Sequence, residues 1–380
     1  MDFKFSEEQR LLADTVQRFL RAHYSFEKRR AILDSREGWS REIWRALAGL
    51  GVTGVNIPEA HGGLGGGPVE TMLVMNALGE ALLLEPYLAA AVITPALLTR
   101  IGDEKASAEL LPDIAAGERI VALAHQEPHT RGELDHLTTS ARKSGDHYVL
   151  DGYKSVIIHG DCADELLVTA RTSGQMNDKS GVSVFRVDPR AAGVRITAYA
   201  TLDGQRGADI ELKGVKIAAD RLVGAEGEAY PALESAHDLA LSAICAEAVG
   251  IMKAVNAATL DYTKNRKQFG QPIASFQVLQ HRMADMFLHS EQAVSMSYLA
   301  AIRCVEPDPL VRRRALSAAK VVIGQAGRFI GQQAIQLHGG MGMTDELMVS
   351  HYFKRLTAID LTFGDTDFHT QQFTAASGAG

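Results

Sequence analysis

Along the chain, apolar residues recur first at helical spacing, then in alternation, then at helical spacing again. Ser6 and Gln9 make a capping-box pair ahead of Leu12, Val16, Phe19 and Leu20, which share one helical face, so a helix is predicted to begin near Ser6. Further helical patterns carry Ile43, Leu47 and Leu50, and then Val69 through Leu84. Between them lies the glycine-rich run HGGLGGGP, His61 to Pro68. From about Ile120 to Val223 the runs YVLDGYKSVIIHG, ELLVTART, GVSVFRV and ADIELKGVKI alternate and are rich in β-branched residues, with a turn signal at Asp151 and Gly152. Beyond Glu226 the helical period returns in Ala232 to Asn265, Ser275 to Val305 and Asp308 to Leu337, the last opening with Asp308 as N-cap and Pro309 at the first position. These helices are long enough for an antiparallel bundle. The predicted fold is therefore α+β: an N-terminal helical domain over 1–118, a central antiparallel β-domain over 119–225 and a C-terminal helical bundle over 226–380. Only the closing AASGAG reads as a frayed tail.

Composition narrows the function. With 380 residues, 46% of them hydrophobic, the chain can bury a large core, and a net charge of -7 without an extended basic face argues against general nucleic-acid binding. A small-molecule partner is expected instead. Cys162, Cys245 and Cys304 are few, odd in number and far apart, so neither a disulfide framework nor a metal site is expected, in keeping with a reducing cytoplasm. The opening MDFKFSEEQRLL lacks a basic region followed by an apolar block, and no uncharged apolar run reaches spanning length, so cytoplasmic localisation and no membrane span are expected. The His61 to Pro68 run has no following Lys-Ser/Thr pair and reads as a structural turn rather than a phosphate loop.

The strongest chemical signal is RKQFGQPIASFQVLQHRMADM, Arg266 to Met286. Arg266 and Lys267 supply positive charge, Gln268 an amide and Phe269 a flat face, ahead of a turn at Gly270 to Pro272; such a set suits the pyrophosphate and ring system of a dinucleotide. The same residues also suit a solvated helix end, followed by a helix whose Phe276, Leu279, Met283 and Met286 face the core.

This segment, the later QLHGGMGMT from Gln336 to Thr344, and the order helices, β-domain, helices together resemble the acyl-CoA dehydrogenase family over essentially the whole chain. MDFKFSEEQRLL, GGGPVETMLVM and HYFKRLTAIDLTFGD look closer still to the small subunit of pimeloyl-CoA dehydrogenase. The resemblance implies an FAD enzyme that converts a saturated acyl-CoA into a 2-enoyl-CoA. A carboxylate takes the α-proton, a hydride leaves the β-carbon, and hydrogen bonds polarise the thioester oxygen. It implies electron-transfer flavoprotein as acceptor and an oligomer in which Arg266, Gln268 and Phe269 hold FAD across a subunit interface. Gln336, Gly339 and Gly340 match the family's second nucleotide-contacting motif, and His338 within it suits either a ligand or a packed ring.

Elsewhere the sequence departs from the family's pattern. Its Thr-Glu-Pro and Gly-Ser-Asp read Gln126, Glu127, Pro128 and then RGELD, Arg131 to Asp135, while its Trp-Ile-Thr/Ser reads Val156, Ile157 and Ile158. An isoleucine cannot donate a hydrogen bond to a flavin. The two positions at which the family carries its glutamate base fall on Phe363, followed by Gly364 and Asp365, and near Ala240. Asp365 is the remaining candidate base, flanked by Asp360 and Asp367, with Glu247 a weaker one. One reading is an active dehydrogenase using Asp365; another is a non-catalytic subunit that lends Arg266 and the Gln336 motif to FAD held by a large acyl-CoA dehydrogenase subunit. A related flavin oxidase or monooxygenase is a third.

Overall fold

The structure, a computed structural model, describes residues 4–130 and 132–378. Met1 to Phe3 of the opening motif, Arg131 of RGELD and the last two residues of AASGAG lie outside the described residues. The helices are α1 Glu7–His23, α2 Phe26–Leu33, α3 Arg41–Gly49, α4 Pro68–Ala81, α5 Thr94–Ile101, α6 Glu104–Ala115, α7 Tyr230–Asn265, α8 Gln277–Arg303, α9 Pro309–His338, α10 Met348–Leu361 and α11 Thr366–Gly378. The strands are β1 Val121–Ala124, β2 Ser140–Ser144, β3 His147–Ile158, β4 Glu165–Arg171, β5 Val182–Val187, β6 Val194–Ala200, β7 Arg206–Ala218, β8 Leu222–Val223, β9 Lys267–Gln268 and β10 Gln271–Pro272. These elements pack as two compact units, one of residues 1–30, 68–83 and 241–380, the other of 31–67 and 84–240.

The second unit is built on an eight-stranded sheet ordered β6-β7-β3-β2-β4-β5-β8, with β1 alongside β4. Most pairs are antiparallel, but β1 runs parallel to β4, from Val121 opposite Glu165 to Ala124 opposite Val168. Every residue of β4 is buried, so this strand lacks the polar outer face that alternation predicts, and its terminal Glu165 and Arg171 are buried with polar partners. Leu167 joins Leu110, Ile114 and Leu233 in one core, whereas Leu166 and Val168 join Tyr148, Phe185 and Ile210 in another. α5 and α6 cover the first of these cores and were not predicted from the sequence. The π-helical stretch Tyr87–Ile93, wholly buried, was not predicted either, because an apolar run without polar interruptions carries no period. The His61 to Pro68 run folds back on Ile57, and a Cβ on Gly63 would lie 2.0 Å from the Ile57 carbonyl oxygen, so this glycine serves close backbone approach.

In the first unit, Ser6 caps α1 reciprocally: Gln9 N–H donates to Ser6 Oγ at 3.1 Å and Ser6 N–H to Gln9 Oε1 at 2.9 Å. The α4 pattern stops at Ala81 rather than Leu84, because Leu82 turns left-handed at φ 52°. α4 crosses α7 at backbone contact. A Cβ on Gly79 would sit 2.2 Å from Glu247 O and one on Gly250 2.0 Å from Asn76 O. α9 opens as its sequence predicts, with Asp308 Oδ1 accepting from Leu310 N–H at 2.9 Å. Residues 375–378 of the closing tail continue α11. Among the described residues, no helix is long and apolar enough to cross a membrane.

Candidate functional site

α7 ends at Asn265 and the chain reverses in a two-residue hairpin. β9 pairs with β10, and Phe269 and Gly270 between them have φ 53° and 79°. Two successive positive φ values are the primed turn that joins tight hairpins, so the reversal falls one residue before the Gly270 to Pro272 turn expected from sequence. Arg266 N–H donates to Tyr262 O at 2.8 Å and Ile273 N–H to Arg266 O at 2.9 Å, which fixes the hairpin's base. Its side chains face outward: Arg266, Lys267 and Gln268 are exposed, and Phe269 at the tip is 92% exposed, its ring edge-on to Phe276 at 6.2 Å. Of the four residues expected to face the core, Met286 is buried, while Phe276, Leu279 and Met283 are half-buried.

At the far end of α9, Gln336, Gly339 and Gly340 are exposed. Gly339 adopts φ 59°, ψ -140°, a conformation essentially reserved for glycine. A Cβ on Gly340 would meet nothing within 4 Å among the described residues, so none of them requires a glycine there. His338 is packed: its ring stacks on Tyr262 at 4.3 Å, and its Nδ1 bonds Ala334 O at 2.8 Å. Burial lowers its pKa, against a smaller opposing effect of the Ala334 hydrogen bond, and so favours the neutral ring. Since Tyr262 also donates to His338 O at 3.2 Å and receives Arg266 N–H on its own carbonyl, one ring pair ties the Arg266 hairpin to the Gln336 motif. A guanidinium, an amide and an open glycine backbone on this edge fit the anionic middle of a dinucleotide.

The turn between α10 and α11 carries the candidate base. Phe363 sits there in the left-handed region, φ 60°. Asp365 is exposed, and its Oδ1 accepts Phe368 N–H at 2.8 Å as the cap of α11. Asp360 is buried between Thr366 Oγ1 at 2.7 Å and Arg328 at 3.1 Å. Asp367 is exposed in the first turn of α11. Glu247 makes a two-pronged pair with Arg355, at 2.6 and 2.7 Å, and Ala240 is fully buried.

In the sheet unit, Glu127 is buried against Lys154, 2.8 Å away, and also accepts the N–H groups of Thr138 at 2.7 Å and Thr139 at 3.0 Å. Lys154 places its other donors on His125 O and Thr169 Oγ1, both at 3.2 Å. Burial raises the Glu127 pKa, but the lysine charge and these hydrogen bonds outweigh it and hold the carboxyl at about 2. Sequence reasoning missed this pair, although a lysine in an inward register of an alternating strand is a signal for it. Val156, half-exposed at φ 53°, occupies an irregularity of β3 between Lys154 and Ile157. Its N–H donates to Asp209 Oδ1 at 3.0 Å, and the same carboxylate accepts Tyr199 Oη at 2.9 Å and Tyr153 Oη at 2.8 Å. No sequence pattern marks Asp209. A crevice of about 720 Å³, lined by Lys105, Arg119, Arg186, Arg190 and Arg221 among other charged residues, is a separate feature. Each of these cations is paired with a carboxylate, so the crevice is an ion-pair lattice rather than an anion seat.

Comparison with known proteins covers nearly the whole chain. Residues 6–118, 122–215 and 240–377 match, respectively, the N-terminal, middle and C-terminal domains described as acyl-CoA dehydrogenase. Isovaleryl-CoA dehydrogenase of Pongo abelii is 30% identical over 371 residues, 95% of this chain and 86% of that protein. A chain of the ChsE4-ChsE5 complex from Mycobacterium tuberculosis superposes with a TM-score of 0.88 at 26% identity, covering all of both chains. Butyryl-CoA dehydrogenase from Megasphaera elsdenii shares the fold, with a TM-score of 0.89 at 23% identity over 99% of this chain and 100% of that one.

Proposed function

Because the chain belongs to the acyl-CoA dehydrogenase family, we propose that it is the small subunit of a heteromeric acyl-CoA dehydrogenase, with a degenerate active site of its own. Membership makes it an oxidoreductase of acyl-CoA dehydrogenase type with FAD as cofactor, and FAD supplies the acceptor for the hydride that leaves the substrate. What this chain adds is binding: Arg266 for the pyrophosphate, with Gln268, Phe269, Gln336, Gly339 and Gly340 around it. These groups are exposed and joined through Tyr262 and His338, as suits a cofactor seated largely on another chain. The large acyl-CoA dehydrogenase subunit then provides the proton-abstracting carboxylate, the acyl-CoA is the shared substrate, and electron-transfer flavoprotein takes the electrons.

The observation that carries this reading is at the α10–α11 turn. Residue 363 is a phenylalanine, and the nearby carboxylate of Asp365 is exposed and engaged in capping. A base needs its carboxylate free to reach the substrate proton, and the Asp365 carboxylate is instead turned to the first turn of α11 as its cap. The pimeloyl-CoA dehydrogenase small subunit is the subfamily that the opening, GGGPVETMLVM and HYFKRLTAIDLTFGD segments favour. That a chain of the ChsE4-ChsE5 complex matches end to end supports a two-chain assembly. The test is turnover of acyl-CoA by this chain alone, by the chain with a large subunit, and by that assembly carrying Asp365→Asn. Turnover only in the assembly, unchanged by Asp365→Asn, is the expected result. Loss of turnover in Asp365→Asn would make Asp365 the base and end the proposal.

A further inference from the structure

We infer that Lys320 is the positioning residue of the α10–α11 turn, holding residue 363 in place by solvating two of the turn's carbonyls. Lys320 is fully buried on α9, and its Nζ donates to Asp360 O and to Gly364 O, each at 2.7 Å. One carbonyl belongs to the last turn of α10, where a cation complements the helix's partial negative charge. The other lies directly after Phe363. Between them, Phe363 O accepts from His369 Nε2 at 2.9 Å, and His369 Nδ1 in turn bonds Ser317 Oγ at 3.2 Å.

Three carbonyls across five residues are thus held by side chains of α9 and α11. The surface of α9 leaves space for this turn, since a Cβ on Gly324 would lie 2.4 Å from Asp360 Oδ1 and 2.7 Å from Thr366 Oγ1, and only glycine avoids both. Ser317, Lys320, Gly324 and Arg328 recur at i, i+3, i+7 and i+11, one face of the helix, and each meets this turn or its flanks. An aromatic residue at φ 60° is costly and persists only where its surroundings over-determine it, and here they do. The consequence deepens the proposed function and rests on its reading of residue 363 as the position of a lost base. The turn is a fixed mount for Phe363; it is not a flexible arm that could swing Asp365 into the phenylalanine's place.

The test is hydrogen exchange by mass spectrometry on the full-length chain alone, wild type beside Lys320→Met, Lys320→Ala and Lys320→Arg, read in peptides covering 361–369. In wild type, the amides of Thr362, Phe368 and His369 exchange as slowly as those of neighbouring helices. Lys320→Met, which keeps the volume but not the donors, accelerates this segment by more than about tenfold, Lys320→Ala does likewise, and Lys320→Arg recovers most of the protection. Wild-type-like protection in Lys320→Met would show that the residue only fills space and would overturn the inference. Should Lys320→Met fail to fold, fast exchange of the segment in wild type would by itself overturn the inference. Neither FAD nor a second subunit enters the experiment, so a failure here is distinct from a failure of the heteromeric reading.

Discussion

The segments that match the family best and those that depart from it differ in how their polar groups are used. Arg266, Gln268, Gln336, Gly339 and Gly340 are exposed on one unit, the guanidinium open to solvent and the Phe269 ring almost bare. Glu127, the Val156 N–H, Asp365 and the carbonyls around Phe363 are instead spent within the chain, on Lys154, Asp209, a helix cap and Lys320. Open groups are available to a ligand or another chain, whereas satisfied ones stabilise the fold that holds them. On the proposed reading, the open groups are a surface for lending and the satisfied ones a site closed to chemistry, with the backbone of the closed part strained at Val156 and Phe363.

The largest effect on this comparison is expected at the closed end. Lys154→Met leaves Glu127 buried without its cation and should cost about 3–5 kcal/mol in denaturant unfolding. Stability should also fall on acidification. The Glu127 pKa is lowered in the folded chain from 4.5 to about 2, so its contribution is full above the unfolded value and is lost as pH drops through that window. Thermal midpoints between pH 5 and 2 should decline less in Lys154→Met than in wild type, and parallel curves would show that Glu127 does not set the acid sensitivity.

At the open end, Arg266→Ala should weaken FAD retention in the assembled enzyme about tenfold by removing a charge-assisted contact, with the unfolding midpoint unchanged because the side chain is exposed. Unchanged flavin content after gel filtration would count against Arg266 as a pyrophosphate contact. Asp365→Ala should cost about 1 kcal/mol, the worth of a helix N-cap, whereas Asp365→Asn, which caps equally well, should be silent in both stability and turnover. Smallest of all, Phe269→Ala should change stability by less than about 0.5 kcal/mol while lowering FAD retention; a large loss of stability would make the exposed ring a folding element.

The sequence made the architecture legible wherever a period repeats for long enough. The Ser6 cap, the Asp308 start of α9 and the alternating runs of the sheet all lie where side-chain pattern and backbone agree. What escaped was set by tertiary contact: the buried stretch from Tyr87 to Ile93, the left-handed stop at Leu82 and the parallel pairing of β1 with β4. At the candidate site, motif spacing marked Arg266 and Gln336, but not that Tyr262 and His338 join them, because stacking between residues 76 apart in sequence leaves no local trace. Lys154 and Lys320 were missed for a related reason: a lysine at an inward position looks like an interruption of the pattern until its carbonyl and carboxylate partners are in view.

Whether this chain carries half a site is decided by the flavin stoichiometry of the protein purified alone and together with a large acyl-CoA dehydrogenase subunit. The expected result is a colourless, inactive chain alone and fewer FAD molecules than polypeptide chains in the active assembly. One FAD per chain in a yellow protein made of this chain alone, turning over acyl-CoA, would contradict it.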